Sequence, residues 1–438
     1  MSLLSLTTLG LTVHPRRHEL DQEFHARPFE RLKTPSLISH LALLSGPGRE
    51  AIDRDRAQIA DLSNYYDVAP PAPDAVHLSV DCGPFRLKWE RHSEFSAYTF
   101  IAPANSVEPF ADPPIRQLPL NWLTGLAGEL LVATHLDLRR EPNPPPSLEQ
   151  LQTLLGAGLL NGCRAADDAA TVWSDFRIHS DGFTRILVLD RSLRETQAGR
   201  LVQRLLNIET YRIMAMLAFP LARQTGVEIA RIEQRSANLT DRMNQQTGLE
   251  QDHALLAELA ELAAEMERIT AATTYRFGAS QAYDALVERR IAELREARLP
   301  SVQTLREFMD RRLAPALRTV ASVRERQESL STRISRAANL LRTRVDVALE
   351  QQNRDLLQSM NRRAQLQLRL QETVEGLSVV VLSYYLVGLV SYVVKALHKL
   401  GLPLNPELAT GMAVPVVIIV VGWGMYRMRR NLAQQDKR

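Results

Sequence analysis

Residues 369–401 read RLQETVEGLSVVVLSYYLVGLVSYVVKALHKLG. A charged, helix-compatible segment passes here into an apolar run, with no proline and only Gly376 at the junction. Residues 377–394 hold 18 positions without a charge, the lower end of what a membrane-spanning helix needs. A second uncharged run, TGMAVPVVIIVVGWGMY, covers 410–426. The 15 residues between them, KALHKLGLPLNPELA (395–409), are too few for a domain and suit a short outer loop. Core helices of soluble proteins rarely run this far without a polar face, so the pattern predicts a helical hairpin in a bilayer. Pro415 falls inside the second run, where a kink is tolerated.

Basic residues set the orientation. Arg354, Arg362, Arg363 and Arg369 precede the first run, and Arg427, Arg429, Arg430, Lys437 and Arg438 follow the second. The loop has Lys395 and Lys399 opposed by Glu407. Both flanks are more basic than the loop, which predicts both termini on the cytoplasmic side. Tyr392, Trp423 and Tyr426 suit interface anchors, whereas Tyr384 and Tyr385 sit too deep. The N-terminus, MSLLSLTTLGLTVHPRR, lacks the basic residues that precede a signal-peptide core and reads as mature sequence.

The 438 residues carry a net charge of only +3, so bulk charge gives no reason to expect nucleic acid. The two cysteines, Cys82 and Cys163, have no CxxC partner and read as reduced thiols.

Upstream of the first run, residues 198–370 are rich in Ala, Leu, Glu, Arg and Gln. Ser192 and Glu195 predict a capping box for a helix ending near 218, ahead of Pro220. A second helix is expected over 227–245. QQTG breaks the pattern, a helix resumes at 249, and another covers 281–298. Pro300 ends it, with Ser301 as the cap of the last helix. That helix is expected to run from 302 through the first span, interrupted only by Pro315, over a length on the order of 100 Å. An unbroken helix of this kind would act as a strut joining a cytoplasmic domain to the membrane.

After Pro315 a stripe recurs in steps of three and four: Leu330, Ile334, Ala337, Leu341, Val345 and Ala348. The same steps continue through Gln352, Leu356, Ser359, Arg363, Leu366 and Leu370, and then through Thr373, Leu377, Val381, Tyr384, Gly388 and Ser391. Either this face packs on helices of the same chain, or identical helices of several subunits meet on an axis and the polar members line a path.

The first 195 residues differ. Pro-rich breaks at APPAPD, EPFADPP and EPNPPPS separate short periodic runs. AVHLSV, FRLKWERH and FSAYTFI read as strands. TVWSDFRIHSDGFTRILVLD reads as a hairpin, turning at Asp181-Gly182 between strands 171–179 and 183–189. SLEQLQTLLGAGL and WLTGLAGELLVATHL supply helical or mixed segments. Strands interleaved with helices predict an α/β or α+β layer architecture.

The motifs give no positive case for an enzyme. HPRRHELDQEFHARPF brings His14, His18 and His25 together, but His18-Glu19 is followed by histidine after seven residues rather than four, so the zincin geometry is absent. His18 and His25, with Glu19 or Glu23, read as capping and ion pairing, and the helix is expected to end at Arg27-Pro28. Asp167, Asp168, Asp175 and Asp181 read as loop and turn residues. No phosphate-binding glycine loop and no nucleophile elbow occurs. Catalytic, cofactor and metal residues are therefore expected to be none.

EFHARPF, DFRIHSDGFTRILVLD, GRLVQRLLNIETYRIMAM, AANLLRTRVDVALEQQN and TVEGLSVVVLSYYLVGL resemble the hallmarks of a bacterial family of uncharacterised membrane proteins of about 430 residues. More distantly, the order of parts is similar to the CorA-type magnesium and cobalt channels, with NLLRTRVDVALEQQNRDLLQSMNRR resembling their stalk. The resemblance implies a homopentamer in the bacterial inner membrane that passes a divalent cation, with Thr373, Leu377, Val381, Tyr384, Gly388 and Ser391 facing the pore. It implies a cytoplasmic α/β domain (1–195), a helical hairpin region (196–300), a stalk (301–376), two spans (377–394 and 410–426), an outer loop (395–409) and a basic tail (427–438). One departure stands out. CorA-type channels carry Gly-Met-Asn just after the first span, and here that place reads KALHKLGLPLNPEL. Gly411-Met412 is followed by alanine and opens the second span. The expectation is an ion channel or transporter of altered selectivity; the alternative is a non-conducting, membrane-anchored sensor or scaffold.

Overall fold

The computed structural model describes residues 12–18, 20–21, 29–156, 159–245, 248–399 and 405–435. The expected end of the first helix at Arg27-Pro28 lies outside them, as do Glu19, Glu23 and His25. Two compact units are present, residues 1–242 with 257–337, and residues 243–256 with 338–438.

The first unit is built on one nine-stranded sheet of order β2-β3-β4-β1-β5-β8-β7-β6-β9. In chain order the strands are β1 (Ser36–Leu44), β2 (His77–Asp81), β3 (Arg86–Arg91), β4 (Phe95–Pro103), β5 (Glu129–Arg140), β6 (Asn161–Ala165), β7 (Ala170–Ser174), β8 (Thr184–Asp190) and β9 (Ala297–Arg298). All pairings are antiparallel except β5 with β8. The three strands expected from AVHLSV, FRLKWERH and FSAYTFI form the meander β2-β3-β4.

Side chains alternate between faces with period two, and helices cover both faces. Ile38, Ala42, Leu136 and Val188 pack under helices α4 (Glu195–Met216), the end of α6 (Leu249–Leu294) and the start of α7 (Leu305–Lys399). Leu41, Leu43, Trp89 and Phe100 face the other way, against Ile59 and Leu62 of α1 (Arg49–Tyr65) and Trp122 of α2 (Leu120–Thr124). On that same side Leu37, Leu187 and Leu189 meet Leu151 and Leu155 of α3 (Leu148–Leu155). The segment SLEQLQTLLGAGL thus yields a short helix, started by a Ser147–Gln150 capping box.

Several expected boundaries move. The hairpin of β7 and β8 is present, with Ala170 opposite Asp190 and Ser174 opposite Ile186. Its connection is long, not the two-residue Asp181-Gly182 turn. Asp175, 5 % exposed, accepts hydrogen bonds from the Arg177 amide (3.1 Å) and faces His179, and these bonds peel the chain off the sheet after Ser174. Gly182, at φ 85°, makes a smaller turn within that loop. The cap of α4 lies two residues beyond Ser192: the Arg194 amide donates to Gln197 Oε1 (3.1 Å), and the Leu193 amide to Asp190 Oδ1 (2.7 Å). The second helix, α5 (Ala218–Gln245), starts at Ala218 rather than 227. Pro220 falls in its first turn, where the amides have no intrahelical acceptor to lose. Helix α6 absorbs the separate helix expected from 281, because Gly278 alone does not end it. Thr304, not Ser301, caps α7: Thr304 Oγ1 accepts from the Glu307 amide, and Glu307 Oε2 from the Thr304 amide, both at 3.1 Å. Helix α7 continues past Pro315, as expected.

Helices α5, α6 and α7 meet in the first unit through Glu233–Arg326 (2.7 Å), Arg235–Glu265 (3.0 Å) and Thr273–Gln327 (2.9 Å). Among the described residues of the second unit, Arg344 donates to the Met243 carbonyl (3.0 Å) and faces Asp252 (3.6 Å), with Leu341 and Val345 buried beside them. Residues 395–399 of the expected loop continue α7 and residues 406–409 begin helix α8 (Pro406–Gln435), while 400–404 lie outside the described residues.

Gly199 of α4 marks a close approach. A Cβ built there would lie 1.6 Å from the Glu30 carbonyl oxygen. The same crossing is fixed by the Leu32 amide, which donates to the Glu195 carbonyl (3.1 Å). Gly199→Ala is expected to cost about 1–3 kcal/mol, the ordinary range for forcing atoms into a packed site. Thermal unfolding against wild type checks it, and an unchanged melting temperature refutes the close approach.

Candidate functional site

Helices α7 and α8 each carry a segment long and apolar enough to cross a membrane. Within the second unit the apolar end of α7 packs on α8 around Val379, Ser383 and Val387, opposite Val414 and Ile418. These residues border a cleft of about 290 Å³. Ser383 is 6 % exposed and its hydroxyl has no hydrogen-bond partner among the described residues. Nearby hydroxyls behave differently: Ser378 Oγ donates to the Val374 carbonyl, and Thr373 Oγ1 to that of Arg369, both at 2.9 Å. An unanswered hydroxyl in an apolar setting costs on the order of 1–3 kcal/mol. Ser383 is therefore the polar oddity of the hairpin, and it lies off the stripe read from sequence.

The stripe occupies the neighbouring side of the helix, roughly 80–160° round from Ser383 at about 100° per residue. Leu377, Val381 and Tyr384 are bare of intrachain cover, at 65 %, 48 % and 77 % exposure. Thr373 is exposed, and Gly388 and Ser391 are half-buried. Helix geometry puts the six residues on one side of α7, and Tyr384 among them also borders the cleft shared with Val414 and Ile418 of α8. Further back on α7, residues 351–374 are exposed on every side, Leu356, Leu366 and Leu370 included. Leu341 and Val345 of the same stripe are buried. At the far end of α8 the Arg427 guanidinium lies 5.3 Å from the Trp423 ring centre, a pairing suited to a membrane–water interface.

The motifs weighed for chemistry sit elsewhere. His14 and His18 are exposed, and the His14 ring accepts from the Arg16 amide. Among the described residues no three His, Cys, Asp or Glu side chains converge on a common point. Asp167 and Asp168 form the β6–β7 turn in left-handed backbone, paired with Arg295 (2.6 Å) and Arg191 (2.7 Å). Asp181 receives the Phe183 amide in its loop. Cys82 and Cys163 are free and buried. Burial pushes the Cys163 thiol up, and also the Glu296 carboxyl that hydrogen-bonds to it.

The sheet holds two buried histidines that the sequence did not single out. His40 on β1 reaches Thr99 (2.9 Å) and Thr210 (3.0 Å). Burial, with a smaller effect of Lys88, lowers it to about 3. His135 on β5 reaches Ser39 (3.1 Å) and stacks on Phe183 at 3.9 Å. Burial lowers it to about 4. Both are neutral at physiological pH, held in hydroxyl and aromatic contacts that fix the centre of the sheet.

The first unit holds a mixed sheet with helices on both faces and the second a C-terminal pair of apolar helices, and a single family description matches the chain over residues 12–432. The chain belongs to the family described as a protein of unknown function, DUF3422. The match supports the nearer of the two resemblances read from sequence, the uncharacterised family of about 430 residues. No curated protein and no solved structure matches the chain. The DUF3422 description carries no activity, so function is argued from the residues.

Proposed function

We propose that this DUF3422 protein is an integral inner-membrane protein whose copies assemble about an axis and pass ions, a channel or transporter of CorA-type build with altered selectivity. The supporting observation is the bare stripe on α7. Leu356, Leu366, Leu370, Leu377 and Val381 stand exposed, with their neighbours, on a stretch of helix whose stripe is buried further back. Burying a leucine contributes about 1.5–3 kcal/mol, so a second copy of the same helix is a stabilising cover for the part outside the bilayer. Gln352, Ser359, Thr373, Tyr384 and Ser391 interleave with them and supply polar groups to a path along the axis. Both termini lie in the cytoplasm on this reading.

One sequence observation favours a second reading. Gly-Met-Asn is missing after the first span, and Lys395 and Lys399 near the mouth repel divalent cations, with Glu407 offsetting only part of that. On that reading the same architecture is a non-conducting sensor or scaffold.

Liposome reconstitution separates the two. Magnesium, cobalt, zinc and monovalent-ion flux are measured with dyes beside a CorA-type channel. The expected result is flux of at least one ion that Tyr384→Ala changes severalfold, with the oligomer intact. Leu377→Asp is expected to abolish it. Under the scaffold reading Tyr384→Ala changes nothing and Leu377→Asp impairs insertion only. Absence of flux from a folded, inserted oligomer overturns the channel.

A further inference from the structure

Within the first unit, α6 and α7 leave a groove of about 300 Å³ between them, at the lower end of the range of small-molecule sites. Phe277, Leu317 and Val320 give it an apolar floor. Gln281 and Arg324 close one end, with Arg324 Nη1 donating to Gln281 Oε1 at 2.7 Å. Arg324 also faces Glu328 at 3.8 Å.

Two charges in this groove lack a partner among the described residues. Arginines of this unit are mostly paired: Arg276 with Glu94 (2.6 Å), Arg326 with Glu233 (2.7 Å), Arg306 with Glu288 (3.3 Å). Arg318 and Asp284 both line the groove, yet neither makes an ion pair or hydrogen bond among the described residues. Along their own helices neither has an opposite charge three or four places away. Asp284 is half-buried, and burial followed by the nearby Glu288 raises its carboxyl above the usual range. A half-buried carboxylate and a free guanidinium that share an apolar groove without meeting leave a gap for a ligand bearing both complementary charges.

We propose that this groove binds a small zwitterion with an apolar side chain, of the class of the free hydrophobic α-amino acids. The ligand carboxylate meets Arg318 and Arg324, its ammonium meets Asp284, and its side chain lies on Phe277 and Leu317. A purely anionic ligand would confront Asp284, and a purely cationic one Arg318. The zwitterion answers both charges and covers the apolar floor.

The test is calorimetric titration of the full-length protein in lipid nanodiscs with phenylalanine, phenylalaninamide and 3-phenylpropionate. Phenylalanine is expected to bind saturably, and each truncated analogue to bind about tenfold or more weaker. Arg318→Gln should abolish phenylalanine binding. Asp284→Asn should weaken phenylalanine and leave 3-phenylpropionate unchanged or tighter. Arg318 is exposed and Asp284 half-buried with no partner among the described residues, so the variants are expected to keep wild-type helix content and oligomer size. No saturable heat from folded protein overturns the proposal, as does phenylalanine binding that both variants retain. A change of oligomer size in either variant, with no change in binding, means that a second copy fills the groove and also overturns it. Ion flux is measured separately on the same variants, so failure of the groove and failure of the channel are distinguishable.

Discussion

Arg91→Met is expected to destabilise the sheet unit by about 3–5 kcal/mol, the usual result of removing one member of a buried ion pair. Arg91 Nε lies 3.2 Å from Asp55 Oδ2, and the Asp55 side chain is fully buried. Two hydroxyls donate to the same oxygen: Ser45 Oγ at 2.7 Å and Ser96 Oγ at 2.5 Å. The guanidinium also donates to the carbonyls of Gly46 (2.5 Å), Phe95 (3.0 Å) and His92. One arginine thus ties helix α1, the loop after β1 and the β3–β4 turn together. Methionine keeps the approximate volume but leaves the buried Asp55 carboxyl without its cationic partner, answered by two hydroxyls alone. Domains of this kind hold about 5–15 kcal/mol in all, so the loss should show as a large drop in melting temperature. The double variant Asp55→Leu with Arg91→Met removes both charges. It should be less destabilised than the sum of the single variants by more than about 1 kcal/mol, because the two sites are coupled. Strict additivity, or a wild-type melting temperature for Arg91→Met, refutes the clamp.

That same clamp shows why part of the fold was hard to read. Helix α1 was not foreseen. Its inward face is Ala51, Asp55, Ile59 and Leu62, and a buried aspartate in the middle breaks the apolar period that marks an amphipathic helix. Gly48 precedes it with no side-chain cap. Strand β1 was missed for the opposite reason. SLISHLALL is covered on both faces, so it shows no alternation of polar and apolar residues, although it sits at the centre of the sheet. The meander β2-β3-β4 was legible because short runs lay between clear turn residues. The two apolar helices were legible from length and composition alone.

The candidate site divides in the same way. The period of the α7 stripe is written in the sequence, and the structure keeps its six membrane-end residues on one side of the helix. What covers them was not legible, because the cover proposed for them comes from other copies of the chain. Ser383 gave no signal, since one serine in an apolar run has no distinctive spacing. Arg318 and Asp284 did leave a trace: each lacks an opposite charge at helical neighbour positions. That trace acquires meaning only when the fold brings them to one groove.

A drop from about pH 7.5 to about pH 5 is expected to cost the sheet unit about 4 kcal/mol through His40 and His135. Their ordinary value is 6.5, and burial lowers them to about 3 and about 4 in the folded protein. Between the two values the unfolded chain takes up protons that the folded chain refuses. Stability therefore falls as pH drops below about 6.5, and the loss is complete only below the folded values. At about pH 5 each histidine accounts for about 2 kcal/mol, and this window lies above the range where paired carboxylates titrate. Urea unfolding at both pH values measures the difference. His40→Gln and His135→Gln should each remove about half of the pH-dependent loss, whatever their effect on stability at the higher pH. Gln keeps a hydrogen-bonding amide near Thr99 and Thr210, or near Ser39, without a proton to gain. An undiminished acid loss in both variants would mean that the rings accept protons in place, through opening of the sheet centre. Because β1 and β5 are adjacent and the two rings point to opposite faces, such opening would have to reach both layers at once.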